Sequence, residues 1–216
     1  MSFKSTVIRL KKVPLAAPTV DHFEFDNNYE IPAQLKPNQV VLKSLWISVD
    51  PYIRGQLYTT SPNTIIESPQ IAQVIRSNSR NLSVGDILSG NFQWSSYSVF
   101  DDNPKLYRKI IAGNQLTPST LSDAQLDLSN HLGPMGLIGV TAYQGLFDIG
   151  ALQKGEAVFV SGAAGAVGSI VGQIAKNVMG CRVVGVAGSD EKCAWLKQLG
   201  FDAALNYKKY DGDVSR

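Results

Sequence analysis

Residues 157–178 constrain the fold of this chain more than any other segment. They begin with a continuous apolar run, Ala157–Val160, which is typical of a buried strand in a parallel sheet. A loop of small residues follows, and apolar residues then recur at the spacing of one helix face. The segment therefore predicts a strand, a tight loop and an amphipathic helix. The apolar face of that helix would consist of Val167, Ile170, Val171, Ile174, Ala175 and Val178.

The loop has the spacing of a phosphate-binding turn. Ala163, Gly165 and Gly168 form an A-x-G-x-x-G pattern, a variant of G-x-G-x-x-G. Small residues let the backbone approach a pyrophosphate, and the N–H groups of a helix that begins near Gly165 would point at the anion. The pattern predicts a dinucleotide site, and the alternative is a tight turn without a ligand. The predicted contacts are Gly165, Ala166, Val167 and Gly168.

The chain continues with a second strand and helix. Residues 182–187 predict another buried strand, and Ser189 is suited to cap the helix after it. Gly200 is expected to end this helix, and residues 203–207 to begin a third strand. The apolar side of the helix would include Trp195, Leu196 and Leu199. This β-α-β-α-β order predicts a doubly wound parallel sheet, which usually has about six strands, so we expect the chain to be C-terminally truncated.

The end of the second strand predicts which dinucleotide binds. A site for NAD usually has an acidic residue there to hold the ribose hydroxyls, whereas residues 186–189 carry none. Ser189 could hydrogen-bond a 2′-phosphate and Lys192 could neutralise it, while Asp190 and Glu191 lie beyond the strand end. The sequence therefore predicts NADP(H). The alternatives are a solvated surface lysine and a serine that only caps the helix.

The first half of the chain has a different character. Residues 1–118 contain β-prone runs separated by Pro and Gly, which predicts a β-rich domain, with a partial nucleotide-binding domain at 119–216. Residues 1–12 are basic, but they contain a β-prone run and no apolar signal core, so a first strand is favoured over a transit peptide. Other strands are predicted at 40–49, 71–75, 84–88 and 94–100.

Composition excludes several classes of protein. Hydrophobic residues make up 44% and charged residues 18% of the chain, which is typical of a globular protein. The formal net charge of +2 gives no reason to expect nucleic acid or a membrane surface as partner. The two cysteines and two histidines are too few and too scattered to predict a disulfide framework or a metal site, so a reducing, cytoplasmic location is expected. They are Cys181, Cys193, His22 and His131.

Several segments together resemble one family. The chain is similar to the zinc-independent medium-chain dehydrogenases/reductases, in the NADP-dependent alkenal/one oxidoreductase group that includes the prostaglandin reductases. The segments that resemble this family are 47–55, 139–143, 163–169, 171–176, 188–192 and 205–208. The resemblance implies a GroES-like β domain followed by a Rossmann domain. It also implies NADPH-dependent reduction of the C=C bond of α,β-unsaturated aldehydes and ketones.

The resemblance also implies roles for particular residues. Lys192 matches a lysine that meets the 2′-phosphate, and Tyr207 matches a tyrosine at the adenosine end. Thr141 matches a position near the nicotinamide, although a helix threonine that bonds a preceding carbonyl would look the same. Tyr52 is a substrate-cleft candidate, or a tyrosine that packs after a turn. Ile138 departs from the family, whose members often carry proline there.

Partners and alternative activities follow from the same resemblance. The expected partner is a small enone or enal, without metal, nucleic acid or membrane, and the full-length protein is expected to form a homodimer. Two other functions stay open at this point. One is an NADPH quinone oxidoreductase, and the other is a truncated, non-catalytic protein that binds a nucleotide or another protein.

Overall fold

The computed structural model describes residues 1–113 and 127–210. The chain divides into two compact units, Met1–Leu132 and Gly133–Arg216. The predicted domain boundary at residue 118 lies outside the described residues, and the division into 1–118 and 119–216 stays a prediction. In the described ranges, no helix is long and apolar enough to cross a bilayer.

The first unit consists mainly of antiparallel strands. Five of them form one sheet in the order β6-β3-β4-β5-β7, and β1 pairs with β2. A short helix, α1 (Ile53–Leu57), follows β3. The strands are β1 Phe3–Leu10, β2 Phe23–Ile31, β3 Gln39–Ile47, β4 Glu67–Ser77, β5 Ile87–Gln93, β6 Tyr97–Asp101 and β7 Tyr107–Ile111. Single 3₁₀ turns lie at Val20–His22 and Leu128–His131.

Central strands explain the core of this unit. β3 lies between β4 and β6, and its residues Val40, Val41 and Leu42 are fully buried. Burial on both faces requires a run of apolar β-formers, which is the pattern that predicted this strand. The fold class is confirmed, and the predicted segments at 40–49, 71–75, 84–88 and 94–100 each overlap an observed strand. The strands β2 and β7 and the helix α1 were not predicted.

The second unit contains a parallel sheet of three strands in the described residues, in the order β10-β9-β8. Val158 of β8 pairs with Val183 of β9, and Leu205 of β10 pairs with Val186 of β9. The strands are β8 Ala157–Val160, β9 Arg182–Ala187 and β10 Ala203–Asn206. The helices are α2 Leu137–Tyr143, α3 Ala166–Gln173 and α4 Asp190–Gln198. π-helical stretches extend α2 over Gln144–Ile149 and α3 over Ile174–Val178, and a 3₁₀ turn lies at Tyr207–Tyr210.

Two burial predictions in this unit hold only in part. β8 forms where expected, but it is buried on one face only, since Val160 is 7% exposed whereas Phe159 is 59% exposed and Ala157 is also exposed. Successive side chains of a strand point to opposite faces, so Ala157 and Phe159 share the exposed face, while Val158 and Val160 face the core. The apolar side predicted for α4 is also partly wrong, because Leu196 is fully buried while Trp195 is 41% exposed.

Helix α3 packs on the sheet through small residues. Its buried positions, with the π-helical stretch included, are Ser169, Gly172 and Ala175, whereas Val178 is 69% exposed. A Cβ atom added at Gly172 would lie 1.9 Å from Cζ of Phe201, so only glycine allows this approach. The predicted apolar face is therefore right only in part: Ala175 is buried and Val171 packs against the core, but Ser169 and Gly172 were not predicted to be buried. The larger side chains Ile170 and Ile174 line a groove beside α2 instead.

Helix ends in the second unit match their expected signals. The Ser189 hydroxyl accepts a hydrogen bond from the Lys192 N–H at 3.2 Å, which confirms the predicted N-cap. Gly200 has φ of +99° and directly follows Leu199, the C-cap residue of α4. The third strand begins at Ala203, as predicted. It ends at Asn206 and does not include Tyr207, which begins the 3₁₀ turn.

Candidate functional site

The loop between β8 and α3 is held close to the next strand. The Ala163 N–H donates to the Val186 carbonyl of β9 at 3.0 Å. Gly162 has φ of +57°, a conformation that favours glycine, and its carbonyl accepts from the Gly165 N–H at 2.8 Å. The Gly165 carbonyl accepts the Ser169 N–H at 3.0 Å and so begins the helix. The turn therefore places the start of α3 at the carboxyl end of the parallel strands.

The first turn of α3 offers unpaired donors. Gly165 is its N-cap and has no side chain to satisfy them. Among the residues that the structure describes, none accepts a hydrogen bond from the N–H groups of Ala166, Val167 or Gly168. A helix start in this state attracts an anion, because its N–H groups carry partial positive charge and lack partners.

The last position of the A-x-G-x-x-G pattern, Gly168, has no room for a side chain. A Cβ atom there would lie 2.6 Å from the Gly162 carbonyl oxygen and 2.8 Å from Cα of Ala163. Both neighbours are backbone atoms, which cannot rotate away. A Cβ at Gly165 would meet the Gly162 oxygen at 3.1 Å, a less severe contact. The loop and helix start thus form a cradle of backbone without side chains, which fits a pyrophosphate group.

A second polar group of residues lies at the ends of β9 and β10. Ser189 and the exposed Lys192 occupy the cap and first turn of α4. Tyr207 follows β10, and its hydroxyl oxygen would lie 3.0 Å from a Cβ placed on Gly188. Because β9 and β10 are parallel neighbours, these three predicted residues meet at one edge of the sheet. The Ser189 oxygen accepts the helix N–H, so its own proton remains available to an anion.

An acidic side chain at this edge is held by two partners. The Asp190 carboxylate accepts from Asn206 Nδ2 at 3.0 Å and lies 2.8 Å from Lys209 Nζ. Hydrogen bonds from Lys209 and Asn206 hold the pKa of Asp190 below its ordinary value. The position of Asp190 beyond the strand end was predicted, but these partners were not. No short-range pattern links them, because Asn206 and Lys209 come from the segment after a different strand.

Thr141 lies on α2 in the same unit. Its hydroxyl donates to the Leu137 carbonyl at 2.8 Å, which is the local bond that the alternative interpretation expected. The hydroxyl oxygen keeps a lone pair for a further donor. A role for Thr141 near a nicotinamide stays a prediction.

Tyr52 lies in the first unit, just before α1, and is 40% exposed. Burial and the nearby charge of Asp50 raise its pKa. A cavity of about 520 Å³ opens beside this segment, and residues on both sides of Tyr52 line it. Its walls are mostly apolar: Pro18, Phe23, Val49, Asp50, Pro51, Ile53, Arg54, Leu57, Ile66 and Trp94. Tyr52 was a candidate from the sequence, but the cavity was not predicted because its walls come from distant segments.

Potential metal ligands are dispersed. Within 1–113 and 127–210, no three His, Cys, Asp or Glu side chains come together as a metal site. Cys181 and Cys193 are buried free thiols in the apolar core of the second unit. His131 Nδ1 lies 2.9 Å from Arg108 Nη2 in the first unit.

A helix start with free amides at the carboxyl end of parallel strands, in a unit whose next helix begins with a serine and a lysine, is typical of a dinucleotide-binding α/β protein. Comparison with known families agrees with this class. A model described as the N-terminal domain of oxidoreductase matches residues 6–107, and one described as zinc-binding dehydrogenase matches residues 166–216. The chain belongs to the medium-chain dehydrogenases/reductases, in the group that contains the prostaglandin and alkenal reductases.

Individual relatives are similar over most of the chain. Prostaglandin reductase 1 of Bos taurus is 44% identical over 199 residues, which are 92% of this chain and 56% of the bovine protein. The 2-alkenal reductase (NADP(+)-dependent) of Nicotiana tabacum is 39% identical over 80% of this chain and 49% of its own length. Among solved structures, CurA from Vibrio vulnificus has a TM-score of 0.81 at 34% identity, covering 96% of this chain and 59% of CurA. The chain thus spans between 49% and 59% of the length of these relatives.

Proposed function

We propose that the whole protein is an NADPH-dependent reductase of the C=C bond in α,β-unsaturated aldehydes and ketones. The observation that carries this proposal is the free helix start at residues 166–168, together with Ser189 and Lys192 at the start of the next helix. Two relatives are named for prostaglandin and 2-alkenal reduction. CurA from Vibrio vulnificus, 33% identical to this chain with a TM-score of 0.79, has been solved in complex with NADPH. These names support the substrate class and the cofactor.

We assign the cofactor contacts by chemistry. The amides of residues 166–168, with the turn at Gly165, would hold the pyrophosphate. Lys192 and the Ser189 hydroxyl would hold the 2′-phosphate, with Tyr207 at the adenosine and Thr141 on the nicotinamide side. When bound, NADPH supplies a hydride for the β-carbon of the enone.

The substrate half of the proposal rests on the first unit. The cavity beside Tyr52 has the volume and apolar lining of a small-molecule pocket. We propose that it takes the apolar portion of the substrate, with Tyr52 near its entrance. Addition of hydride to an enone leaves negative charge on the carbonyl oxygen, so a hydrogen-bond donor must stabilise that oxygen and a proton must reach the α-carbon.

We further propose that the protein works in the cytoplasm and needs no zinc. Buried free thiols at Cys181 and Cys193 fit a reducing compartment. Residues 49–52 carry neither the Cys nor the His that the zinc-containing branch of the family has in this region.

Cofactor preference tests the proposal without requiring turnover. Fluorescence titration of this chain should give tighter binding of NADPH than of NADH. Lys192→Ala should lower the affinity for NADPH by about tenfold or more, since a hydrogen bond to a charged group contributes about 1.5–3 kcal/mol. The affinity for NADH should stay unchanged. Lys197→Ala, at the opposite end of α4, is the matched control and should change neither. Equal affinities for NADPH and NADH in the unaltered chain would contradict the cofactor assignment.

Activity is tested on the whole protein. We expect NADPH consumption with 4-hydroxynonenal and reduction of its C=C bond, identified by mass spectrometry of the product. Consumption with quinones alone would favour the quinone oxidoreductase alternative. Binding of NADPH without turnover of any enone or quinone would favour a non-catalytic nucleotide-binding protein.

A further inference from the structure

The first turn of α4 carries two acidic residues, Asp190 and Glu191, whose negative charge opposes the proposed cofactor. Asp190 directly follows Ser189 and precedes Lys192 by two positions. Its side chain is 66% exposed, and its carboxylate is bonded by Asn206 Nδ2 at 3.0 Å and by Lys209 Nζ at 2.8 Å. A free carboxylate here would repel a 2′-phosphate, which carries more than one negative charge.

The two partners come from a segment that the sheet brings to this edge. Asn206 ends β10, and Lys209 lies in the 3₁₀ turn that follows it. β10 runs parallel to β9, so the end of β10 arrives beside the start of α4. Together they fix the direction of the Asp190 carboxylate and neutralise its charge.

We propose that Lys209 and Asn206 mask Asp190, and that this masking lets the site accept a 2′-phosphate. Lys209 is then a specificity-determining residue that acts through Asp190 rather than by touching the cofactor. This inference rests on the proposed NADPH site, and it adds a residue that neither the glycine loop nor the position of Lys192 indicates.

A purely structural role explains the pair less well. Lys209 is 61% exposed and Asp190 is 66% exposed, and ion pairs this open to water add little to folding stability. Lys209 also differs from its neighbours. In the part of the chain that the structure describes, neither Lys192 nor Lys208 forms an ion pair. Lys192 is therefore free for an anion, whereas Lys209 is committed to Asp190.

A rescue experiment separates masking from direct contact. Calorimetry would measure the affinity of five forms of this chain for two ligands that differ only in one phosphate group, adenosine 2′,5′-bisphosphate and 5′-AMP. The five forms are the unaltered chain, Lys209→Ala, Asp190→Asn, the Lys209→Ala/Asp190→Asn double variant and the control Lys208→Ala. At low ionic strength we expect Lys209→Ala to lower the affinity for the bisphosphate about fivefold. This loss of affinity should become smaller as the salt concentration rises. Binding of 5′-AMP should stay within about twofold throughout, which also checks that the variants fold.

The double variant gives the decisive comparison. Asp190→Asn should restore the affinity of Lys209→Ala for the bisphosphate to within about twofold of the unaltered chain, because no carboxylate remains to be masked. Lys208→Ala removes the same charge from the same turn but leaves the ion pair between Lys209 and Asp190 in place. Its loss of affinity for the bisphosphate should therefore be clearly smaller than that of Lys209→Ala. A double variant as weak as Lys209→Ala would mean that Lys209 contacts the phosphate itself.

Other outcomes would also overturn the inference. If Lys209→Ala binds the bisphosphate as well as the unaltered chain does, or Lys208→Ala loses as much, then masking is wrong while the NADPH site stands. If the unaltered chain binds the bisphosphate no better than 5′-AMP, then both the NADPH assignment and the masking fail. The unaltered chain therefore distinguishes failure of the proposed function from failure of this inference.

Discussion

Alanine at position 172 tests how closely helix α3 must approach the sheet. The added Cβ would lie 1.9 Å from Cζ and 2.3 Å from Cε2 of Phe201. Ordinary carbon–carbon contact is about 3.5–4.0 Å, so the ring and the helix would have to separate by more than about 1.5 Å. Phe201 is only 4% exposed, and a Cβ at Gly185 would meet its Cδ1 at 2.8 Å, so the ring has little room to move.

The net effect follows from two opposing contributions. Overpacking a buried site costs about 1–3 kcal/mol, and contacts with several ring atoms place Gly172→Ala near 3 kcal/mol. Replacement of a helical glycine by alanine recovers about 1 kcal/mol. We therefore expect a loss of about 2 kcal/mol in the stability of the second unit.

Gly145 provides a matched control in the same unit. It lies in the helical stretch Gln144–Ile149, and nothing approaches within 4 Å of a Cβ placed there. Gly145→Ala should stabilise the unit by up to about 1 kcal/mol, so the two variants should differ by about 3 kcal/mol. Amide hydrogen exchange in the central strand β9 measures this difference as a free energy of opening. Equal protection in the two variants would refute the packing argument for Gly172.

Two further predictions concern charged groups in the first unit. Burial alone would raise the pKa of Asp86, but hydrogen bonds from Lys109 and two backbone N–H groups outweigh it and leave that pKa below its ordinary value. Its stabilisation is fully present at neutral pH and declines once pH falls below about 4, so Asp86→Asn should cost about 2 kcal/mol in a urea titration at pH 7 and less at pH 3. Burial and the charge of Arg108 lower the pKa of His131, so stability should fall as pH drops below about 6.5, and His131→Gln should flatten that slope in thermal melts. An unchanged slope, or an Asp86→Asn loss that is as large at pH 3 as at pH 7, would contradict these assignments.

The parallel unit could be predicted from sequence because its signals are local. The apolar run of β8, the serine cap of α4 and the terminating Gly200 each act within a few residues. The strands β2 and β7 lack such signals. β2 is polar at its centre and mostly exposed, and β7 is short and includes two basic residues. Their pairing with neighbouring strands, rather than their own composition, makes them strands.

Helical periodicity predicted only part of the buried face of α3, namely Ala175 and Val171. Hydrophobic side chains suggested one face, but Gly172 is buried because Phe201, which follows the next helix, lies against it. A single sequence does not indicate which glycine receives a distant aromatic ring. The same limit applies to Asp190, whose partners Asn206 and Lys209 are supplied by the turn after β10.

Only part of the candidate site could be predicted from the sequence. The positions of residues 165–168 and Ser189 at helix starts were predictable, because a strand, a loop and a helix start follow each other directly in the chain. The structure adds why Gly168 must be small and which amides are free, and these depend on the path of the loop back to Gly162. The apolar cavity beside Tyr52 depends on the fold of the whole first unit and had no local signal.

The account depends most on where a dinucleotide contacts the backbone. An NMR titration of the isotopically labelled chain with NADP⁺ tests this residue by residue. The largest amide shifts should appear at Ala166, Val167 and Gly168, with a second group at Ser189 and Lys192 that is absent when NAD⁺ replaces NADP⁺. Saturable binding that leaves the amides of residues 166–168 unmoved would contradict the account.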